Sequence, residues 1–291
     1  MNQSNLVILA GGASSRMKKQ SIEDSSLSEK EKAQANQRSK SLISIDDSGR
    51  PLMDYLLYNA KKAGYQNIYI ITGKKNSLFK SFYGEQDSNN DFHGLTINFA
   101  VQEIPKNRVK PFGTADALYQ AMEQYPILQT NSFTVCNSDN LYSIKALELL
   151  LPNTDSQNAL ISYDRDALLF SSERISSFAL MLFDKELNLK DIIEKPDRNL
   201  TESFKGDDGK LRVSMNIFKF NGSLFFEYLK KCEVHPTRNE KELPSALMAM
   251  LKEHPISVKG ISLSEHVPDL TSKEDIAILK EWVKDINLGD W

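Results

Sequence analysis

Residues 5–18 read NLVILAGGASSRMK. Leu6 to Leu9 form an unbroken apolar run, the pattern of a strand buried on both faces in a parallel sheet. Ala10, Gly11 and Gly12 then keep bulky side chains away from a close ligand, and the two glycines reach backbone angles closed to other residues. Ser14 and Ser15 add hydroxyls, and Arg16 adds a fixed cation. A small-residue turn at the carboxyl end of a buried strand can aim N–H groups at a phosphate, and ligands of open α/β sheets gather at that end. A tight turn with no ligand explains Gly11-Gly12 alone; Arg16, four residues beyond Gly12, tips the reading to an anion site. Two glycine fingerprints are excluded. The dinucleotide pattern needs glycine where Ala13 and Arg16 stand, and the P-loop needs Gly-Lys where Arg16-Met17 stand.

Outward from this turn, strands and helices alternate. Pro51 to Ala63 reads as a helix with Leu52, Leu56, Leu57 and Ala60 on one face and Gly64 as its stop. Residues 68–72, 95–102, 133–136, 158–163, 178–183, 211–220 and 256–263 read as strands. Further helices are expected over 76–83, 115–125, 222–231 and 243–252, and a last one is expected to be capped by Thr271 or Ser272, to carry Glu274 or Asp275 in its first turn and to run to about Ile286. The order predicts an α/β protein with a doubly wound, mostly parallel but mixed sheet flanked by helices. Residues 19–39 are charged and serine-rich without a sustained apolar stripe, so a mobile loop or a solvated helix is expected there. Leaving from the glycine turn, the segment would serve as a lid or be a passive insertion.

Bulk composition bounds the function. With 291 residues, 40% hydrophobic and 26% charged, the chain has ordinary globular composition for one large domain or two small ones. A net charge of −3 gives no broad basic surface for nucleic acid, and no apolar run approaches membrane-spanning length. Two cysteines, Cys136 and Cys232, make no disulfide framework, and no leader is read before the first strand, so a cytoplasmic setting is expected. His93, His235, His254 and His266 show no metal-ligand spacing and read as surface or structural residues.

Leu9-Ala10-Gly11-Gly12-Ala13-Ser14-Ser15-Arg16-Met17 resembles the L-A-G-G-x-G-T-R-hydrophobic signature of the sugar-1-phosphate nucleotidylyltransferases, with Ser14 in place of the usual glycine. The resemblance runs from Leu6 to Ile286 with the family's motifs in order. It implies the Rossmann-like nucleotide-diphospho-sugar transferase fold as a single domain over 1–291, residues 1–140 being roughly the nucleotide half and 141–291 the sugar-phosphate half. Lys40 matches the cation of the family's Pro-Lys segment, with Ser39 where proline is usual. Gly113-Thr114-Ala115-Asp116-Ala117-Leu118 resembles G-T-A-x-A-L, which implies that Gln102 and Gly113 contact the nucleobase. Asp139, at the end of a buried strand, matches the first metal-binding aspartate, although Asn137-Ser138-Asp139-Asn140 is also a good turn by itself. Glu194-Lys195-Pro196 matches the E-K-P whose Glu bonds sugar hydroxyls and whose Lys binds the sugar phosphate; Asn216 stands where the family has glycine near the sugar. Asp269, in Val267 to Asp275, takes the place of the second metal-binding aspartate.

The implied reaction is nucleotidyl transfer from a nucleoside triphosphate to a sugar-1-phosphate with Mg²⁺. Arg16, Lys40 and Lys195 are the implied catalytic cations. Leu9, Ala10, Gly11, Gly12, Ser14, Ser15, Gln102, Gly113 and Thr114 would form the nucleotide site. Asp139, Glu194, Lys195 and Asn216 would form the sugar-phosphate site, and Asp139 with Asp269 would hold the metal. Two alternatives stay open: a non-sugar acceptor such as a polyol phosphate or molybdopterin, which the S-S-R-M turn supports, and a non-catalytic nucleotide-sugar sensor. No hexapeptide-repeat tail is read, so a second acyltransferase activity is not expected. Base, sugar and any homo-oligomer are left open.

Overall fold

The computed structural model describes residues 4–12, 14, 16–18, 27–151, 157–194, 204–289 and 291. The apolar run forms strand β1 (Asn5–Leu9), which is followed by helix α1 (Glu29–Gln37), a 3-10 turn at Lys40–Leu42 and helix α2 (Leu52–Ala63). Then come β2 (Asn67–Thr72), α3 (Ser77–Tyr83), β3 (Asn90–Phe92), β4 (Leu95–Val101), α4 (Thr114–Gln124), α5 (Ile127–Thr130) and β5 (Ser132–Asn137). The second half carries α6 (Ile144–Leu149), β6 (Asn158–Asp164), α7 (Ser172–Ile175), β7 (Leu180–Phe183), β8 (Leu189–Ile193), β9 (Arg212–Val213) and β10 (Ile217–Asn221). It closes with α8 (Gly222–Lys230), α9 (Leu243–Glu253), β11 (Val258–Leu263) and α10 (Glu274–Val283).

One mixed sheet holds these strands in the order β3-β4-β2-β1-β5-β10-β6-β9-β7-β8, with β11 alongside β6. The β4-β2-β1-β5 half is parallel throughout. Beyond it β10 runs antiparallel to both β5 and β6, and the β7-β8-β9 group is antiparallel too. Both faces of the sheet are covered, which is why β1 is apolar without alternation: Leu6 and Ile8 enter one core, and Val7 enters the other. β2 lies on one side of β1 and β5 on the other, so the winding reverses between β1 and β5. That reversal opens a crevice at their carboxyl ends.

Helix α2 forms for the reason its sequence suggests. Leu52, Leu56, Leu57 and Ala60 are buried, Pro51 occupies the N-cap, and Gly64 closes the helix at φ 102°. Burial of each leucine contributes about 1.5–3 kcal/mol, more than intrinsic helix preference supplies to so short a segment. A third core, with Met17, Leu27, Ala35, Tyr55, Leu270 and Leu279 among its members, packs α1 and α10 onto the glycine-turn side of the sheet.

The structure corrects several expected boundaries. Part of the segment read as a mobile loop or a solvated helix is a docked helix: α1 begins with a capping box between Ser28 and Glu31, buries Gln34 and Ala35, and is tied to α10 by Lys280 to Glu31 at 2.9 Å. Residues 19–26 lie outside the described residues. The single strand expected over 211–220 is two, β9 and β10, because Asn216 between them is left-handed at φ 57°. Helix α10 has Glu274 and Asp275 in its first turn, as expected, but neither Thr271 nor Ser272 caps it through its side chain. The bonding runs the other way from the expected cap, Asp275 accepting from the Thr271 and Ser272 N–H groups at 2.8 and 2.6 Å.

Candidate active site

The turn after β1 is fixed by both flanking strands. Ala10 N–H donates to the Ile71 carbonyl at 2.8 Å, and Ser138 N–H donates to the Leu9 carbonyl at 3.2 Å. Gly11 and Gly12 follow; among the described residues their N–H groups meet no acceptor, which leaves them available to an anion. Ser14 is left-handed at φ 54°, so this serine stands at a position whose backbone suits the glycine of the signature. A cavity of about 400 Å³ opens beside the turn, lined by Leu9, Ala10, Gly11, Gly12, Ser14 and Arg16.

The facing walls come from distant parts of the chain. Ser39 and Lys40 line one side, and Asn137, Ser138 and Asp139 enter from the end of β5. The Lys40 ammonium lies 2.9 Å from an Asp139 carboxylate oxygen; Lys40 is 12% exposed and Asp139 27%. The pair therefore stands at the cavity edge, where a phosphate or cation can compete for either partner. Gln102, just past β4, and Gly113-Thr114, at the start of α4, form the opposite wall.

That wall is built against the segment joining α8 and α9. Lys241 N–H donates to the Phe112 carbonyl at 2.7 Å, and Ala115 N–H donates to the Lys241 carbonyl at 3.0 Å. Leu243 N–H donates to the Thr114 hydroxyl at 2.9 Å. Gly113 sits at φ 109° with its α-carbon pressed on Lys241: a β-carbon there would lie 2.2 Å from the Lys241 oxygen. Only glycine suits both the backbone angle and the contact. This lacing brings Glu240 into the cavity, and Lys110 joins it from the loop before α4. Neither residue carries a motif, so sequence reading had no signal for them.

Glu194, Asn216 and Asp269, three of the implied site residues, do not line this cavity. Ser15 and Lys195 lie outside the described residues. Glu194 does not line the cavity; it faces Arg238 at 3.6 Å, and Arg238 also binds Glu242 at 2.5 Å. Asn216 is also outside the cavity wall, its carbonyl held 3.2 Å from the buried Tyr142 hydroxyl. Its left-handed φ explains why asparagine replaces glycine there: asparagine tolerates that region better than other non-glycine residues.

Asp139 and Asp269 are neighbours in backbone but not in side chain. Asn140 pairs with Asp269, and Leu270 N–H donates to the Asp139 carbonyl at 2.7 Å. Residues along a paired stretch alternate sides, and the carboxylates part. Asp139 turns to Lys40 and the cavity; Asp269 turns to Arg174 and accepts from the Thr271 hydroxyl at 3.3 Å. Arg174 also holds Asp275 at 2.6 Å and lies 4.5 Å above the Phe170 ring. No group of three metal-ligating side chains is gathered among the described residues. His266 packs nearby between Phe170 and Trp282; burial, and secondarily the Arg174 charge, push its pKa down to about 4, so it is a neutral structural residue.

A glycine turn, with the cations Arg16, Lys40 and Lys110 and the carboxylates Asp139 and Glu240, lines one cavity at the switch point of a mixed sheet in an α/β protein with the nucleotide-diphospho-sugar transferase fold. The chain belongs to the nucleotidyl transferase family, whose model matches residues 34–262. It is 24% identical over 253 residues to the bifunctional protein GlmU of Staphylococcus epidermidis, covering 86% of this chain and 46% of that protein. To glucose-1-phosphate adenylyltransferase 1 of Vibrio vulnificus it is 27% identical over 227 residues, covering 77% and 50%. The chain thus spans about half the length of the curated relatives it matches. Among solved structures, a putative glucose-1-phosphate thymidylyltransferase from Bacillus anthracis in complex with a sucrose superposes with a TM-score of 0.68 at 20% identity, covering 99% of this chain and 98% of that one. A UDP-glucose pyrophosphorylase complexed with UDP-glucose gives 0.70 at 15% identity, covering 98% and 100%. These two show the fold.

Proposed function

We infer that this chain transfers a nucleotidyl group from a nucleoside triphosphate to a sugar-1-phosphate, releasing pyrophosphate and forming a nucleoside-diphosphate sugar. The observation that carries the reading is that Arg16, Lys40 and Asp139 share one cavity with Gln102 and Gly113. An oxygen of the sugar phosphate attacks the α-phosphorus, and the pyrophosphate oxygen leaves. Such chemistry needs alignment and charge neutralisation more than a covalent catalyst. The Gly11 and Gly12 N–H groups and Arg16 bind the β- and γ-phosphates. Lys40 stands where the leaving charge grows and interacts with it more strongly as the bond breaks. Gln102 and Gly113 hold the base. Lys195, Glu194 and Asn216 are assigned to the acceptor phosphate and sugar, although neither Glu194 nor Asn216 lines the cavity that holds Arg16 and Lys40.

Asp139 fits a hard divalent cation. Its carboxylate faces the cavity, and Mg²⁺ typically takes one or two carboxylates together with substrate phosphates. Bound there, Mg²⁺ would neutralise charge on the reacting phosphates. Asp269 could join it only after giving up Arg174. No helix among the described residues is long and apolar enough to cross a membrane. A cytoplasmic setting is part of the same proposal, supported by the two free, buried cysteines.

The test is pyrophosphate release across the nucleoside triphosphates and a panel of sugar-1-phosphates and polyol phosphates, with and without Mg²⁺. The expected result is Mg²⁺-dependent release with one base and a sugar-1-phosphate. Release with a polyol phosphate alone would move the acceptor to the alternative class, and no release with any pair would leave only a binding protein.

A further inference from the structure

Gln102 is 4% exposed, yet it lines the cavity. Its amide nitrogen donates twice, to the Gly113 carbonyl at 3.1 Å and to an Asp116 carboxylate oxygen at 2.9 Å. An ionised carboxylate and a carbonyl only accept, so both fix the same end of the amide. The amide oxygen is left facing the glycine turn, 3.4 Å from where a β-carbon on Gly11 would stand. Among the described residues it accepts no hydrogen bond.

The orientation is anchored from behind. The same Asp116 oxygen also accepts from the Gln120 amide at 2.9 Å. Gln120 in turn is gripped by the Glu103 backbone, accepting from its N–H at 2.7 Å and donating to its carbonyl at 3.2 Å. Gln120 therefore cannot flip without breaking both bonds, and Asp116 cannot offer anything but an acceptor. Asp116 lies in the first turn of α4, where an acidic residue also suits the helix dipole. That role accounts for its charge but not for two convergent amides.

We propose that Asp116 is a positioning residue for base selection: with Gln120 it locks the Gln102 amide so that only its oxygen faces the nucleotide, and the site favours a base presenting an N–H donor to that oxygen. The proposal rests on the reading of this cavity as the nucleotide site. The lock weakens in Asp116→Ala, where the Gly113 carbonyl alone still holds the amide nitrogen and the Gln102 amide turns more readily to present its donors. In Asp116→Asn the fixed Gln120 donor forces the new amide to keep its oxygen toward Gln102, so the lock survives while the charge is lost.

The experiment is calorimetric titration of the wild-type chain and both variants with ATP, CTP, GTP, UTP, dTTP and inorganic tripolyphosphate. The expected result is a base preference in the wild type that survives in Asp116→Asn. In Asp116→Ala that preference should fall by roughly threefold to tenfold, the worth of one neutral hydrogen bond. Tripolyphosphate affinity should be the same in all three, which also reports that each variant is folded. Should Asp116→Ala prove unstable, Asp116→Asn combined with Gln120→Leu leaves the new amide free to turn its donors toward Gln102 and should lower the preference in the same direction. An unchanged preference in Asp116→Ala, or an equal loss in Asp116→Asn, would overturn the proposal. Failure of the wild type to bind any nucleotide would instead overturn the reading of the cavity.

Discussion

Replacing Gly113 by alanine would place a methyl group 2.2 Å from the Lys241 carbonyl oxygen and 2.8 Å from the Lys241 nitrogen. Both contacts are backbone, so no side chain can swing aside. Gly113 also sits at φ 109° and ψ 178°, a region essentially reserved for glycine, where another residue costs about 1–3 kcal/mol. Forcing the neighbouring backbone away costs about 1–3 kcal/mol more. A total loss of about 2–6 kcal/mol corresponds to a drop in melting temperature of roughly 3–10 °C for a chain of this size. The displaced segment carries Glu240 into the cavity wall, so nucleotide affinity should fall as well. Gly12→Ala is the matched control, because a β-carbon there meets no described residue within 4 Å. The assay is thermal melting of both variants beside the wild type. If Gly113→Ala melted no lower than Gly12→Ala, the packing of the α4 start against Lys241 would be wrong.

Three further outcomes follow from particular contacts. Asp54 receives the Tyr83 hydroxyl at 2.8 Å, and burial raises its pKa from 3.8 to about 6. The folded state thus favours the protonated form: Asp54's contribution to stability is full below about pH 4 and is lost as pH rises through about 6. Asp54→Asn should stabilise the protein at neutral pH by roughly 1–3 kcal/mol and flatten its denaturation midpoint between these pH values. Asn216→Ala should lower the melting temperature while Asn216→Gly should not, since alanine at φ 57° costs about 1–2 kcal/mol and glycine does not. Asp269→Asn should weaken the Arg174 contact and lower the melting temperature more than turnover, whereas Asp139→Asn should lower turnover and Mg²⁺ response more than stability. The reverse pattern in paired melting and rate measurements would return Asp269 to the metal.

How far the sequence reached follows from where its signals were local. The apolar run of β1, the glycine turn and the α2 stripe are each set by adjacent residues, and the parallel half of the sheet follows from their alternation. Asn216 and Ser14 stood out as departures from glycine, and both occupy left-handed backbone. Helix α1 was obscured because its buried face is Gln34 and Ala35 rather than an apolar stripe, although Ser28 and Glu31 spelled a capping box. Lys110 and Glu240 were invisible because hydrogen bonds around Lys241, not motifs, carry them to the cavity. Asp269 matched a motif, but the direction of its carboxylate depends on Arg174, ninety-five positions away.

The central claim is that a sugar-phosphate oxygen attacks the α-phosphorus in the cavity between β1 and β5. It is tested most directly with a sugar-1-phosphate carrying ¹⁸O on its phosphate, supplied with the preferred nucleoside triphosphate and Mg²⁺ and followed by ³¹P NMR. The account predicts label at the bridge between the two phosphorus atoms of the nucleoside-diphosphate sugar, with unlabelled pyrophosphate. Formation of nucleoside monophosphate with all label left in free sugar phosphate, or label appearing in pyrophosphate, would contradict it.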